Sequence, residues 1–304
     1  MGNTPYGFLQ ARDGIQLRYG CWPCRGASHA GAVAVLGGRA EFMEKYIETI
    51  GELNTRGFHA FSLDWRGQGL SDRMLPDRTL GYVRTFEDYV ADLKLFIDEV
   101  VQPDSRGPLI VMAHSMGATI ALHYMRCNSR GIHKAVLLSP MIDFRTDPVP
   151  YTIAKWYCLA LAKFGLARRN IPSTRHNASF RGSFADNRLT HDAVRFHRIR
   201  QTLQDNPRLL VSGITYGWLA ASFEAIDVIR RPGFARCIQT PMLVVTAGND
   251  QVVSNTAAGR LVARLPGASA VCIQDAYHEI LQERDGIRSR FWRAFDRFVH
   301  PNVA

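Results

Sequence analysis

Short apolar runs separated by longer stretches of helical spacing organise the first 140 residues. Alternating apolar and polar positions predict strands over 8–12 and 15–22, with Asp13-Gly14 between them as a hairpin turn. Compact apolar runs over 32–36, 58–63, 109–113 and 134–138 read as buried strands. Between them, 44–56, 86–101 and 118–127 repeat apolar residues at helical intervals, the first stopping at Gly57. The rhythm changes near Pro140, and residues 141–232 predict helices and polar loops without a clear buried strand. Strands over 241–246 and 269–274 and helices over 256–265 and 287–298 then resume it. Strands that alternate with helices build parallel βαβ units, so the expected architecture is α/β, a mostly parallel doubly wound sheet covered on both faces. The helical interruption reads as an inserted α-helical cap over 141–232, between core parts 1–140 and 233–304.

Length fits this division, since 304 residues exceed what one compact core needs. No apolar run approaches the roughly 20 residues that span a bilayer. The opening Met1-Gly2-Asn3-Thr4-Pro5-Tyr6 lacks the basic and apolar regions of a secretory signal. The six cysteines are scattered, with Cys21-x-x-Cys24 the one close pair, so the expectation is a reduced, cytoplasmic protein. The net charge of +10 is uneven: 141–232 holds fourteen basic residues, Arg145, Arg175 and Arg181 among them, against seven acidic ones, a net +7. A basic face attracts anionic partners, so peripheral contact with an anionic inner-membrane surface stands beside ordinary solvation of helical faces. Residues 151–166 are aromatic and aliphatic, suited to an acyl tunnel, a membrane interface or plain burial.

The run V-M-A-H-S-M-G-A over 111–118 carries the chemistry. Ser115 follows an apolar strand and precedes a helix, with Ala113 and Gly117 two residues to either side. Small residues there let a sharp strand-to-helix turn close and lift the hydroxyl clear of the sheet. Serine is a poor nucleophile at neutral pH. It needs a histidine to take its proton, and that histidine needs a carboxylate to fix its tautomer. His278 follows the strand over 269–274, and Asp250 follows the strand one earlier, so both leave the sheet at the carboxyl edge that Ser115 occupies. Of the rivals, His114 diverges from its neighbour on the turn, His176, His191 and His197 fall in the expected cap, and Asp275 and Glu279 are too close in sequence to reach the far ring nitrogen. A tetrahedral intermediate needs N–H donors. The amide of Met116, opening a helix, is one candidate, and that of Arg39, in the Gly37-Gly38-Arg39 turn after the strand over 32–36, is the other. G-x-x-x-x-G-K and G-x-G-x-x-G phosphate loops are absent.

The segments L-G-G-R-A-E-F-M-E-K-Y (36–46), D-W-R-G-Q-G-L-S (64–71), A-H-S-M-G (113–117), T-Y-G-W (215–218), G-N-D (248–250) and Y-H-E-I-L (277–281) resemble the α/β-hydrolases of the bacterial lysophospholipase and monoacylglycerol lipase group. Gly37-Gly38-Arg39 and Ala113 are closer to the lysophospholipase form. The resemblance implies the α/β-hydrolase fold, with Ser115 as nucleophile, His278 as base, Asp250 as orienting acid and a cap over the acyl site. Substrate contacts are then expected from Gly38, Trp156, Tyr216 and Trp218. The substrate it implies is a small-molecule lipid ester, lysophospholipid first and monoacylglycerol second, with no cofactor, metal or nucleic acid. Short soluble esters and acyl transfer are the alternatives within serine-hydrolase chemistry. A non-catalytic lipid binder is the alternative outside it.

Overall fold

Eight strands form one sheet in the order β1-β2-β4-β3-β6-β7-β9-β10, in a computed structural model that describes residues 5–24, 29–105, 107–128, 131–144, 146, 149–172 and 182–300. Arg145, Asp147, Arg175, His176 and Arg181 lie outside the described residues. β1 (Tyr6–Gln10) and β2 (Gln16–Trp22) are the antiparallel hairpin, turned at Gly14, whose φ of 84° is a conformation glycine adopts freely. β2 also pairs antiparallel with β4 (Phe58–Leu63). β3 (Gly31–Leu36), β4, β6 (Leu109–His114), β7 (Lys134–Leu138), β9 (Met242–Ala247) and β10 (Ala268–Ile273) are parallel.

Side chains alternate across each strand, and every residue of β3 and β6 is buried, because both faces are covered. Ala34, Phe61, Val111 and Leu137 meet α2 (Phe86–Phe96) and α4 (Met116–Cys127) on one face. Val35, Phe58, Met112 and Val245 meet α1 (Ile47–Thr55) and α9 (Asp285–Val299) on the other. The helix expected over 86–101 continues from α2 through a π-helical turn, Ile97–Val101, into α3 (Gln102–Asp104). α8 (Asn255–Val262) connects β9 to β10.

Between β7 and β9 stand α5 (Tyr151–Leu161), α6 (Ala193–Asp205) and α7 (Tyr216–Arg230). The apolar run expected to continue to 166 leaves helical geometry at Phe164 and Gly165, the latter with φ 88°. Two features depart from the sequence reading. A two-residue strand, β8 (Gly213–Ile214), pairs in parallel with β5 (Leu80–Gly81), too short for periodicity to reveal. And α7, although inside 141–232, buries Trp218, Ala221, Ala225 and Ile226 in the same cluster as α2 and α4. It packs as part of the core layer.

Candidate active site

Ser115 stands between β6 and α4 with φ 50° and ψ −113°, a strained turn for a residue with a side chain. The turn is over-determined by its neighbours. Ser115 N–H donates to the Leu138 carbonyl at 2.9 Å, and the Ser115 carbonyl accepts from Met141 N–H at 3.1 Å. A Cβ at Gly117 would lie 2.6 Å from the Gly37 oxygen and 2.7 Å from that of Leu36, so only glycine lets α4 start this close to the end of β3.

His278 and Asp250 arrive from the loops after β10 and β9. Ser115 Oγ lies 3.1 Å from His278 Nε2, and His278 Nδ1 lies 2.8 Å from Asp250 Oδ2. The other carboxylate oxygen, Oδ1, accepts from the N–H groups of Val252 and Val253 at 2.8 and 3.0 Å. Burial pushes the Asp250 carboxyl up, but hydrogen bonding and charge from His278, with the two amides, outweigh it and hold the pKa below its ordinary value. All three side chains are buried.

The turn after β3 faces the serine. A Cβ at Gly38 would meet Ser115 Cβ at 3.1 Å and His114 Nδ1 at 3.2 Å. Gly38 N–H donates to Glu41 Oε2, and Ala40 N–H donates to Gln68 Oε1. The Arg39 amide between them, and the Met116 amide at the start of α4, make no hydrogen bond among the described residues. Two donors are thus left unclaimed on the two turns that flank the serine.

Sequence reasoning missed the charged layer beneath. Glu41 accepts from Lys45 Nζ and Tyr46 Oη, both at 2.5 Å, and faces His114 Nδ1 at 3.1 Å. Lys45 also pairs with Glu279 at 2.6 Å. His114 Nε2 points at the His278 carbonyl at 3.2 Å, which also accepts from Ser139 Oγ at 2.9 Å. Both ring nitrogens of His114 thus face oxygen atoms that can accept hydrogen bonds. Burial opposes the charged ring, yet Glu41 prevails and the pKa is raised. The one sequence signal for this layer was Glu41 four residues before Lys45. Of the carboxylates weighed against Asp250, Asp275 pairs with Arg290 at 3.0 Å.

The four expected substrate contacts separate. Gly38 lines the cavity at Ser115 together with Arg39, Leu189, Leu210 and Val211. Trp156 does not; it is 62% exposed on the outer face of α5, beside Tyr82 and Lys163. Tyr216 packs edge-on to Tyr157, and Trp218 is buried beneath the Arg39 guanidinium, 5.6 Å from ring centre to Cζ. Composition identified aromatic side chains but not the surface each would meet.

A mostly parallel sheet with a serine on its strand-to-helix turn, backed by histidine and aspartate, defines this chain as a serine hydrolase of the α/β-hydrolase fold. The family model described as serine aminopeptidase, S33, matches residues 27–285, and the chain belongs to that family. Lysophospholipase L2 of Escherichia coli K12 is 31% identical over 287 residues, covering 87% of this chain and 79% of that one. Probable lysophospholipase L2 of Haemophilus influenzae is 28% identical over 97% of this chain and 92% of its own length. Among solved structures, a soluble variant of monoglyceride lipase from Saccharomyces cerevisiae, in complex with a substrate analog, superposes with a TM-score of 0.75. That match has 17% identity and covers 99% of this chain and 97% of the other.

Proposed function

We propose that this chain is a serine esterase that removes the acyl group from a monoacyl lipid, lysophospholipid ahead of monoacylglycerol. The observation that carries the mechanism is the line from Asp250 through His278 to Ser115, facing two unclaimed amides. His278 Nε2 takes the Ser115 proton as Oγ bonds to the ester carbonyl carbon. The Arg39 and Met116 amides receive the resulting oxyanion, helped by the N-terminal dipole of α4. As the ester C–O bond breaks, His278 returns the proton to the leaving glycerol oxygen. Water then attacks the acyl-enzyme, giving its proton to the same nitrogen, and Ser115 is restored with release of a fatty acid. Asp250 keeps Nδ1–H in place and stabilises the ring while it is charged.

Substrate class rests on two supports. The relatives are named lysophospholipases and monoglyceride lipases, and the wall above Ser115 is apolar, with Leu189, Leu203, Leu210, Val211 and Val252. The cavity of about 140 Å³ is close to the roughly 150 Å³ that admits one benzene ring. We read a long acyl chain as entering once the wall that carries Leu203, Leu210 and Val211 moves aside, with that part of 141–232 serving as the cap while α7 stays with the core. We also read α5 and the turn after it as the face that meets an anionic lipid surface. Ile153, Trp156, Tyr157 and Phe164 are exposed there, the last by 81%, near exposed Lys163, Arg168 and Arg169.

The test is a headgroup and chain-length screen of the purified protein beside Ser115→Ala. Turnover of palmitoyl lysophospholipid and monopalmitoylglycerol that disappears with the serine is expected. Equal turnover by the two proteins ends the mechanism, and activity confined to short soluble esters ends the lipid assignment.

A further inference from the structure

Arg39 contributes its main chain to the proposed oxyanion site, but its side chain has no task in that chemistry. The guanidinium is set over the indole of Trp218. Its Nη1 is buried without a hydrogen-bond partner, and the side chain makes no ion pair among the described residues. The nearest carboxylate in sequence, Glu41, is engaged by Lys45, Tyr46, His114 and the Gly38 amide. Burial lowers the Arg39 pKa to about 10, with Tyr89 and Glu41 only partly opposing the shift. A half-buried guanidinium without a counter-ion among the described residues keeps its charge available to an incoming anion. This one belongs to a residue that lines the cavity of Ser115.

We propose that the Arg39 guanidinium is the receptor for the headgroup phosphate of a lysophospholipid substrate, and that it sets the preference for phosphate-bearing over neutral monoacyl lipids. The assignment rests on the esterase reading above. With the ester carbonyl held at the Arg39 amide, the phosphate lies across the glycerol backbone from it. An arginine side chain extends through a comparable number of bonds from its own amide. Guanidinium meets phosphate through paired, charge-assisted hydrogen bonds, which a neutral glycerol cannot supply. Such an anion would also balance the unpaired charge of the guanidinium.

The experiment compares kcat/KM on palmitoyl lysophosphatidylcholine and monopalmitoylglycerol for wild type, Arg39→Gln and Arg39→Lys. Because Arg39 also serves the oxyanion turn, the informative quantity is the ratio of the two substrates, in which losses common to both cancel. The ratio is expected to fall about 10- to 100-fold in Arg39→Gln and to recover in part in Arg39→Lys. An unchanged ratio overturns the assignment. So does selective loss of laurate inhibition in Arg39→Gln with the substrate ratio unmoved, which would place the product carboxylate there. Where the variants fail to label with a fluorophosphonate probe, the wild type decides. Competition by sn-glycerol 3-phosphate against a soluble p-nitrophenyl ester, with none by glycerol, supports the site, and absence of that competition overturns it. Wild-type protein that hydrolyses the soluble ester but neither lipid defeats the lipid reading instead, and the phosphate competition still decides Arg39.

Discussion

Replacing Asp250 by asparagine tests the site with almost no change in shape. Oδ1 accepts from two amides, those of Val252 and Val253, so the carboxamide must place its oxygen there to keep both bonds. Its NH2 group then occupies the position of Oδ2, 2.8 Å from His278 Nδ1. Two donors cannot face each other, so Nδ1 gives up its hydrogen and the ring proton moves to Nε2, which faces Ser115 Oγ at 3.1 Å. A protonated Nε2 cannot accept the serine proton, and the charge that stabilises the imidazolium is lost as well. A wrong tautomer of this kind costs about 10⁴ in kcat, equivalent to about 5 kcal/mol of barrier. Stability should change by less than about 1 kcal/mol, since every polar atom keeps a partner. The assay is single-turnover acylation by a p-nitrophenyl ester, with urea unfolding as control and ¹⁵N NMR of the imidazole to read the tautomer. A rate within tenfold of wild type, or an imidazole still protonated at Nδ1, refutes the reasoning.

Glu41→Gln removes the charge that anchors Gly38 N–H and faces Lys45 and His114, so we expect a stability loss of about 3 kcal/mol and a fall in kcat of at least about tenfold. Unchanged kcat in folded protein would mean that Glu41 does not hold the oxyanion turn. Glu48 receives Arg195, Arg198 and Arg288, and although burial pushes it up, these partners lower its pKa to about 2. A carboxyl depressed on folding stabilises above its ordinary pKa, and that contribution fades as pH falls from about 4.5 toward 2. With the carboxylate 28% exposed, screening reduces the contribution to about 1–2 kcal/mol. The stability gap between wild type and Glu48→Gln should therefore narrow between pH 5 and 3, and a gap constant with pH would contradict the assignment. Trp156→Ser combined with Phe164→Ser should weaken sedimentation with vesicles rich in phosphatidylglycerol by about tenfold or more, and undiminished binding would move the lipid face elsewhere.

Periodicity exposed the strands and helices of the sheet because both of its faces are covered, which makes β3 and β6 unbroken apolar runs. The order Ser115, Asp250, His278 was equally legible, because each follows a strand and parallel strands end at one edge. What sequence could not show was which contacts a charged or aromatic residue would find. Glu41, Lys45, His114 and Glu279 are all buried, although charged side chains are ordinarily solvated. Only tertiary pairing makes their burial tolerable. Trp156 looked like a lining residue because apolar composition says that a helix has an apolar face without saying what covers it. The β5–β8 pair escaped because two residues carry no period.

The charged layer also explains how loops so distant in the chain keep ångström-level register around Ser115. Lys45 joins Glu41, which holds the proposed oxyanion turn through Gly38 N–H, to Glu279, the residue directly after the proposed base. His114 links the same Glu41 to the His278 carbonyl, and Ser139 reaches that carbonyl from the end of β7. A buried ion pair contributes little net stability, because desolvation consumes most of its attraction. Breaking one partner, by contrast, leaves an uncompensated charge, so the arrangement resists any displacement of a single loop. Positional rigidity is what an oxyanion site requires, since its donors act only if already aimed when charge develops. The strained φ of Ser115 and the ionic layer beneath it are therefore two parts of one device, the first presenting the hydroxyl and the second fixing the groups that meet it.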